Sequence, residues 1–580
     1  MSMLRPFVAH DATLRSRTRW WADAIVLAAV AVLFWLLVRV SHEVSAPLPP
    51  RTAASMVSTD PANLPYYALR SLARMFAALA VSTLFAFVYA TAAARLRRAE
   101  KVLLPLLDVL QSVPVLAFLS VTLTVWLTLF PGSVLGVECA AVFAIFTSQA
   151  WNMTFAFHQS LVTQPRELDE AARVLRLTRW QRFWKLDVPS GTIPLVWNGM
   201  MSFGGGWFFL VASEVISVNN NTYALPGIGS YVAAAAEQEQ VGRILLAIGV
   251  MIIMVIGVNV LFWRPLTAWA ERFRTEDTAA TEVQRSLTLN LLRRSALPAL
   301  VGRGLRPIGR LLDTVTRPLG MAEQPLQVNP TRRRVGDIVF GAVVIAAIGV
   351  GVWQMLAYVS RGAGLGEFAN AFVLGLATMA RVVVLVVIGS VVWVPIGVWI
   401  GTNPKITRYA QPVVQVLASF PANFLFPFAT LLLIKTGVSL DIGGIILMSL
   451  GAQWYILFNV IAGASAIPSD LREVAAHLRM GRWLRWRTLI GLAIFSAWIT
   501  GGITAAGGAW NASIVAEVVS YGNTTLTATG LGAYIAQSTA EGNFVRTLVG
   551  VTVMTIYVVG INRLFWRRLH RLAESRYSQT

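Results

Sequence analysis

Long stretches without a single charged side chain constrain this chain more than any other feature of its sequence. Ala24 to Val38, Ile244 to Leu261 and Ile338 to Ser360 carry no charge at all. About 18 apolar residues suffice to cross a bilayer core of roughly 30 Å as a helix. Helices are the natural form, because lipid offers no partner to an open strand edge. A transmembrane barrel would alternate in segments of about ten residues, and these runs are continuous. Only 13% of the residues are charged and 56% are hydrophobic, where a soluble chain carries roughly 25% charged residues.

The formal charge of +20 invites a nucleic-acid reading, which its distribution excludes. Lys101, Lys185, Lys405 and Lys435 are the lysines, and the arginines gather at the ends of apolar runs. That is the pattern that orients helices with their basic ends inside. Arg5, Arg15, Arg17 and Arg19 precede the first run, so the N-terminus is expected in the cytoplasm; the run is too long for a cleavable signal and no cleavage site follows it. Apolar runs near 22–38, 72–93, 102–130, 134–157, 193–216 and 244–263 give six crossings, and both ends of this half fall inside. Residues 264–335 hold thirteen arginines against six acidic residues. They read as a basic cytoplasmic linker, either a plain tether or, over Leu287 to Leu312, a segment lying on the membrane surface. Six further runs follow, near 338–359, 374–400, 413–434, 442–461, 492–519 and 548–565.

The second six are a copy of the first. A shift of 303 residues puts Trp151 on Trp454, Trp207 on Trp510, Glu214 on Glu517, Asn220 on Asn523, and Gly227 and Gly229 on Gly530 and Gly532. Upstream the shift is 307, so Arg74 meets Arg381, and Ser112 and Pro114 meet Ser419 and Pro421. With six crossings each, the copies share one orientation, as parallel repeats about an axis along the membrane normal. The expected architecture is an all-α polytopic membrane protein of about twelve helices: residues 1–263 and 336–580 are the two six-helix repeats and 264–335 the linker. A pathway between the repeats is the natural place for a transport site.

The loop between the fourth and fifth crossings carries the most specific signal. Glu170, Ala172, Leu175, Arg176, Arg179, Trp180, Arg182 and Leu186 all have identical counterparts 303 residues on. Each loop opens with a proline (Pro165, Pro468) and acidic residues, as a helix N-terminus should. A basic aromatic turn follows. A basic loop alone explains the arginines but not the repeated Glu-to-Trp spacing.

These loops resemble the EAA motif of binding-protein-dependent ABC importer permeases: Glu-Ala-Ala, three residues, Gly, nine residues, Ile, one residue, Leu-Pro. The first copy matches at Glu170, Ala171, Ala172 and Pro189, with Leu186 and Val188 as apolar stand-ins, and departs at Arg176, where the motif has glycine. The second, with Glu473, Ala475 and Ala476, departs at Val474, at Arg479 and at Leu492. The missing glycines imply a turn built differently after each helix. The phrases Leu-Gln-Ser-Val-Pro114-Val and Gly206-Trp-Phe-Phe-Leu-Val-Ala-Ser-Glu214 are similar to the nitrate/sulfonate/bicarbonate/taurine branch.

The resemblance implies a type I importer permease in the bacterial inner membrane, with both termini cytoplasmic. Two copies of an ATPase subunit and a periplasmic or lipid-anchored solute-binding protein would be its partners. The small solute would be an anion such as nitrate, sulfonate or bicarbonate. Glu170, Ala171, Ala172, Arg176, Arg179 and Trp180, with Glu473, Ala475, Ala476, Arg479, Arg482 and Trp483, would couple the ATPases to the pathway. ATP and Mg would be held by those subunits and no cofactor by this chain. None of its lysines directly follows a glycine, so no Walker A loop exists here. No histidine pair at helical metal spacing and no Gly-x-Ser-x-Gly elbow appears, so catalysis is not expected.

Candidate pathway positions are Ser112, Pro114, Trp207, Glu214, Ser419, Pro421, Trp510 and Glu517. Two readings stand for Glu214 and Glu517: lining the pathway or its outer gate, or, the favoured one, anchoring a neighbouring loop. Buried packing is the commoner role for Trp207 and Trp510. Pro114 and Pro421 either open backbone towards a cavity or kink a packed helix. Arg74 and Arg381 either attract an anion or, more simply, snorkel to the interface. The alternative function is a secondary transporter driven by an ion gradient, which needs intramembrane relay residues that are scarce here.

Overall fold

The computed structural model describes residues 57–218, 221–273 and 330–577, and scattered positions within 23–39 and 295–315. The first expected crossing lies largely outside the described residues, as do most of the basic linker, Asn220, and the side chains of Ser112 and Ala476. Among the described residues nine helices are long and apolar enough to span a membrane, and a tenth span is a pair of helices bent by 80°. Each coincides with a run expected from the sequence. The first half comprises α1 (Leu64–Arg95), α2 (Arg97–Ser112), α3 (Leu119–Leu129), α4 (Val134–Val162), the short α5 (Arg166–Val174), α6 (Val188–Ser213), α7 (Ile228–Glu237) and α8 (Val241–Val258). The second comprises α9 (Pro330–Gly362), α10 (Gly366–Gly401), α11 (Pro404–Ser419), α12 (Phe426–Thr436), α13 (Leu440–Ser465), α14 (Ser469–His477), α15 (Gly491–Ala516), α16 (Leu531–Ala540), α17 (Phe544–Ile561) and α18 (Arg567–Tyr577), of which α10 to α17 repeat α1 to α8.

The third crossing of each half is broken, not kinked. A proline restricts the residue before it to extended backbone. Val113 (φ −79°, ψ 124°) and Phe420 (φ −71°, ψ 128°) accordingly end α2 and α11, and a 3-10 turn follows each proline. These elbows exchange places. Val115, Leu116, Leu119 and Leu123 belong to the apolar core of the second half, and Phe424 to that of the first. The two halves therefore share their cores, as a duplicated unit held about a common axis would. The fused pair also meets at its arginine-rich end, where Arg98 and Lys101 flank Asp337 and Arg567 binds Asp108.

The polar loop expected after the fifth crossing is instead a β-hairpin and a short helix. Strands β1 (Val215–Val218) and β2 (Asn221–Ala224) pair antiparallel, as do β3 (Val518–Tyr521) and β4 (Thr524–Thr527). The β-branched runs Val-Ile-Ser-Val and Val-Val-Ser-Tyr favour this, and Gly522 at φ +55° supplies the turn. The hairpin units touch across the halves, where the Gly522 N–H donates to the carbonyl of Ala236.

Candidate functional site

At the arginine-rich end, α5 and α14 project between long helices. Glu167 and Asp169 occupy the first turn of α5 and Arg173 its last, which complements the helix dipole. Ala172 and Ala475 face inward and are buried, while Glu170, Ala171 and Glu473 are exposed. Apolar side chains stand free beside them: Val174 is 82% exposed and Leu175 70%, with Val474 at 52% and Leu478 at 69%. These side chains lie outside the spanning helices, beside the exposed glutamates.

The turn after each helix corrects an expectation. Arg176 (φ +46°) and Arg479 (φ +47°) adopt the left-handed backbone that a glycine takes most readily. The Leu177 N–H donates to the Ala172 carbonyl and the Met480 N–H to that of Ala475, both at 3.1 Å, closing a Schellman-type end. The turn is thus built as glycine would build it, at a cost of about 1–2 kcal/mol for an L-residue.

Trp180 and Trp483 differ despite their matched positions. Trp180 packs with Phe183 and Trp184, at ring distances of 6.4 and 5.6 Å, in a cluster that continues to Phe157 and Phe87. The repeat replaces these partners with Trp486, Arg487, Val460 and Val394, and Trp483 is left 77% exposed. Arg179 and Arg482 are exposed at the start of the following short turns.

At the hairpin end, Glu214 and Glu517 are fully buried, and their side-chain partners match, while the backbone donor is displaced by one residue. Glu214 accepts from Ser71 Oγ (2.5 Å), Arg74 Nη1 (2.7 Å) and the Gly229 N–H (2.6 Å). Glu517 accepts from Thr378 Oγ1 (2.8 Å), Arg381 Nη1 (2.8 Å) and the Ala533 N–H (3.0 Å). Ser71 and Thr378 in turn accept from the Ile228 and Leu531 N–H groups. Each glutamate therefore holds the N-terminus of the short helix beyond its hairpin, where the dipole favours an anion. The anchoring reading of the two glutamates is the one this geometry carries. The snorkelling expectation fails: Arg74 and Arg381 are 3% and 6% exposed and point into these clusters.

Sequence reading missed the third members. Arg74 grips Glu138 at 2.6 and 2.8 Å, with Arg70 on the same carboxylate, and Arg381 grips Asp441 at 2.6 Å. The signal was present: Glu138 and Asp441 are acidic residues in apolar runs, 303 apart.

Between the halves a cavity of about 30 Å³ is lined by Met200, Phe203, Gly204, Trp207, Gln415 and Ser419, among others, room for about one water. Trp207 and Ser419 thus meet at the interface, and Trp207 is also packed edge-on to Phe203 at 5.5 Å. Trp510 lies in the second core, stacked on Tyr557. Pro114 is buried beside the elbow, where the Val115 N–H donates to Asn511 Oδ1 of the opposite half at 2.8 Å. Beyond Pro421, the Asn423 side chain donates to the Phe208 carbonyl at 3.2 Å. The first elbow thus has a backbone group met by the other half, and the second reaches across with a side chain.

The family model described as binding-protein-dependent transport system inner membrane component matches this chain twice, at residues 82–268 and 393–578. The nitrate import permease protein NrtB of Leptolyngbya laminosa is 28% identical over 145 residues, 25% of this chain and 47% of that protein. The bicarbonate transport system permease protein CmpB of Synechococcus elongatus is 26% identical over 135 residues, 23% of this chain and 45% of its own length. The glycine betaine/proline betaine transport system permease protein ProW of Escherichia coli is 25% identical over 143 residues, 24% of this chain and 38% of its own length. The matched stretch spans less than half of each relative.

Proposed function

Because the chain belongs to the family of binding-protein-dependent transport system inner membrane components, in both of its halves, we propose that it is the membrane permease of an ATP-driven ABC importer. The two fused halves enclose one pathway for a small solute. The nitrate and bicarbonate relatives favour a small anion, a class that includes sulfonates. Both termini face the cytoplasm of a bacterium, where the arginine-rich end lies. Two ATPase subunits, which carry the ATP and Mg, dock there on α5 and α14, and a solute-binding protein delivers cargo at the hairpin end.

The observation that supports this best is the pair of short helices bearing exposed Glu170 and Glu473 with exposed apolar neighbours. Closure of the ATPases would push both helices and, through the elbows that each half buries in the other, turn the halves about their shared axis. The 30 Å³ cavity fits a pathway that is shut between strokes.

The test is uptake into proteoliposomes holding the full chain, its ATPase subunits and its binding protein. The Glu170→Ala/Glu473→Ala chain should lose solute uptake while the ATPase subunits still hydrolyse ATP. Normal uptake by that double variant overturns the reading.

A further inference from the structure

The two coupling surfaces differ in how they satisfy their charges. In the first half a relay of ion pairs ties α5 to the bundle. Asp169 binds Arg173 at 2.5 Å and also Arg182; Arg182 lies 3.8 Å from Asp187; and Asp187, nearly fully buried, accepts from Arg95 at 2.6 Å and from Gln164 at 3.2 Å. Arg95 ends α1 and Asp187 leads into α6, so the short helix is fastened to two spanning helices.

The repeat removes every acceptor in that relay. Asp169 becomes Arg472, Asp187 becomes Ile490, Gln164 becomes Ile467 and Arg95 becomes Thr402, while Arg182 is kept as Arg485. Among the described residues none of Arg472, Arg479, Arg482, Arg485 and Arg487 forms an ion pair. Arg472 donates from Nη1 to the Thr402 carbonyl at 3.4 Å, a neutral acceptor; its Nε and that of Arg485 are buried without a hydrogen-bond partner, as is the Nε of Arg182 in the first half, but Arg182 alone of the three has carboxylates beside it. Beside them stands Trp483, 77% exposed, with Leu484 at 50%.

We propose that the second coupling surface is completed by its partner: carboxylates of a docked protein subunit supply there the counter-charges that Asp169 and Asp187 supply internally at the first, and the Trp483 indole inserts into that subunit. The proposal rests on the importer reading, in which the subunit is the ATPase. Arginine and an exposed tryptophan side by side are the usual anchors of a protein interface, and arginine forks suit carboxylates. At the first surface Asp169 already holds Arg173 and Arg182, so the two ATPase sites of one chain are unequal. Contacts made by exposed charges weaken with salt, since the screening length falls from about 10 Å at 0.1 M to about 3 Å at 1 M. The second site is therefore the more salt-sensitive.

Native mass spectrometry of the full chain, purified with its ATPase subunits, reads the difference. The wild-type chain should retain two subunits at low salt and a single one as salt rises towards about 0.5 M. Arg482→Glu/Arg485→Glu should retain one subunit at low salt. So should Trp483→Ala, whose exposed side chain leaves the bundle's fold untouched, and the Asp169→Asn chain should retain two. Two subunits on both second-surface variants, or equal salt loss from both sites, overturns the proposal while the importer reading stands. A wild-type chain that retains no ATPase subunit under any salt brings down the importer reading and this inference with it.

Discussion

Arg74 and Glu214, 140 residues apart in the chain, meet at 2.7 Å with the carboxylate wholly hidden from solvent. Removing one member of a buried pair leaves an uncompensated charge and costs about 3–5 kcal/mol, whereas removing both is far milder. Arg74→Met should therefore lower the thermal unfolding temperature of the detergent-solubilised chain sharply, and Arg74→Met/Glu214→Gln should recover part of the loss. Equal losses in the single and double variants would show that the pair contributes nothing as a pair.

The same carboxylate sets a steric limit on the loop beyond it. A Cβ on Gly227 would lie 2.2 Å from the Glu214 carboxyl, and one on Gly530 2.3 Å from that of Glu517. Gly227→Ala and Gly530→Ala should each cost about 1–3 kcal/mol through forced shifts. Gly249→Ala, inside α8 where the added methyl meets nothing within 4 Å, is the control that should not lower the unfolding temperature.

Much of this was written plainly in the chain. The charge-free runs gave the spanning helices, and the 303-residue offset gave the duplication and the matched glutamates. Broken third crossings were signalled by Pro114 and Pro421, but not their exchange between cores, because partner choice between two similar bundles leaves no periodic trace. The hairpins escaped notice because four-residue strands such as Val215–Val218 merge with the apolar run before them. Arg74 was misjudged because an arginine at a helix end looks the same whether it reaches water or a buried acid 140 positions away.

At the end of α5, Arg176 holds φ +46°. Glycine takes that backbone without the penalty of about 1–2 kcal/mol that an L-residue bears, although its unfolded chain is freer. Arg176→Gly should leave stability unchanged or slightly raised, whereas the β-branched Arg176→Val should lower it. A circular-dichroism melt of the two variants beside the parent checks the order; Arg176→Val as stable as Arg176→Gly would contradict the left-handed turn.

Asp169 adds a pH dependence to the first coupling helix. Burial alone would raise its pKa, but Arg182 and then Arg173 outweigh it and bring the carboxyl below its ordinary value. A group depressed in the folded state stabilises above its unfolded pKa, and that contribution is lost as pH falls through the folded value. Acidification below the ordinary carboxylate range should therefore loosen α5 before α14, whose equivalent residue is Arg472. Hydrogen exchange of residues 166–174 against 469–477 measures this, and Asp169→Asn should abolish the difference.

The contact between Val115 and Asn511 tests how the halves are joined. A buried backbone donor left without its acceptor costs about 1–3 kcal/mol. Asn511 Oδ1 accepts from the Val115 N–H, reaching across from the opposite half at 2.8 Å. Asn511→Leu keeps the bulk and removes the acceptor, so it should free the first elbow while leaving each half's own helices intact. The expected signature is local: faster hydrogen exchange at residues 113–119 with little change in α1 and α4. Asn423 bonds the Phe208 carbonyl at 3.2 Å and its Oδ1 is buried without a partner, so Asn423→Leu loses a weaker contact and should disturb its elbow less. Greater damage from Asn423→Leu than from Asn511→Leu would reverse this ranking of the two joints.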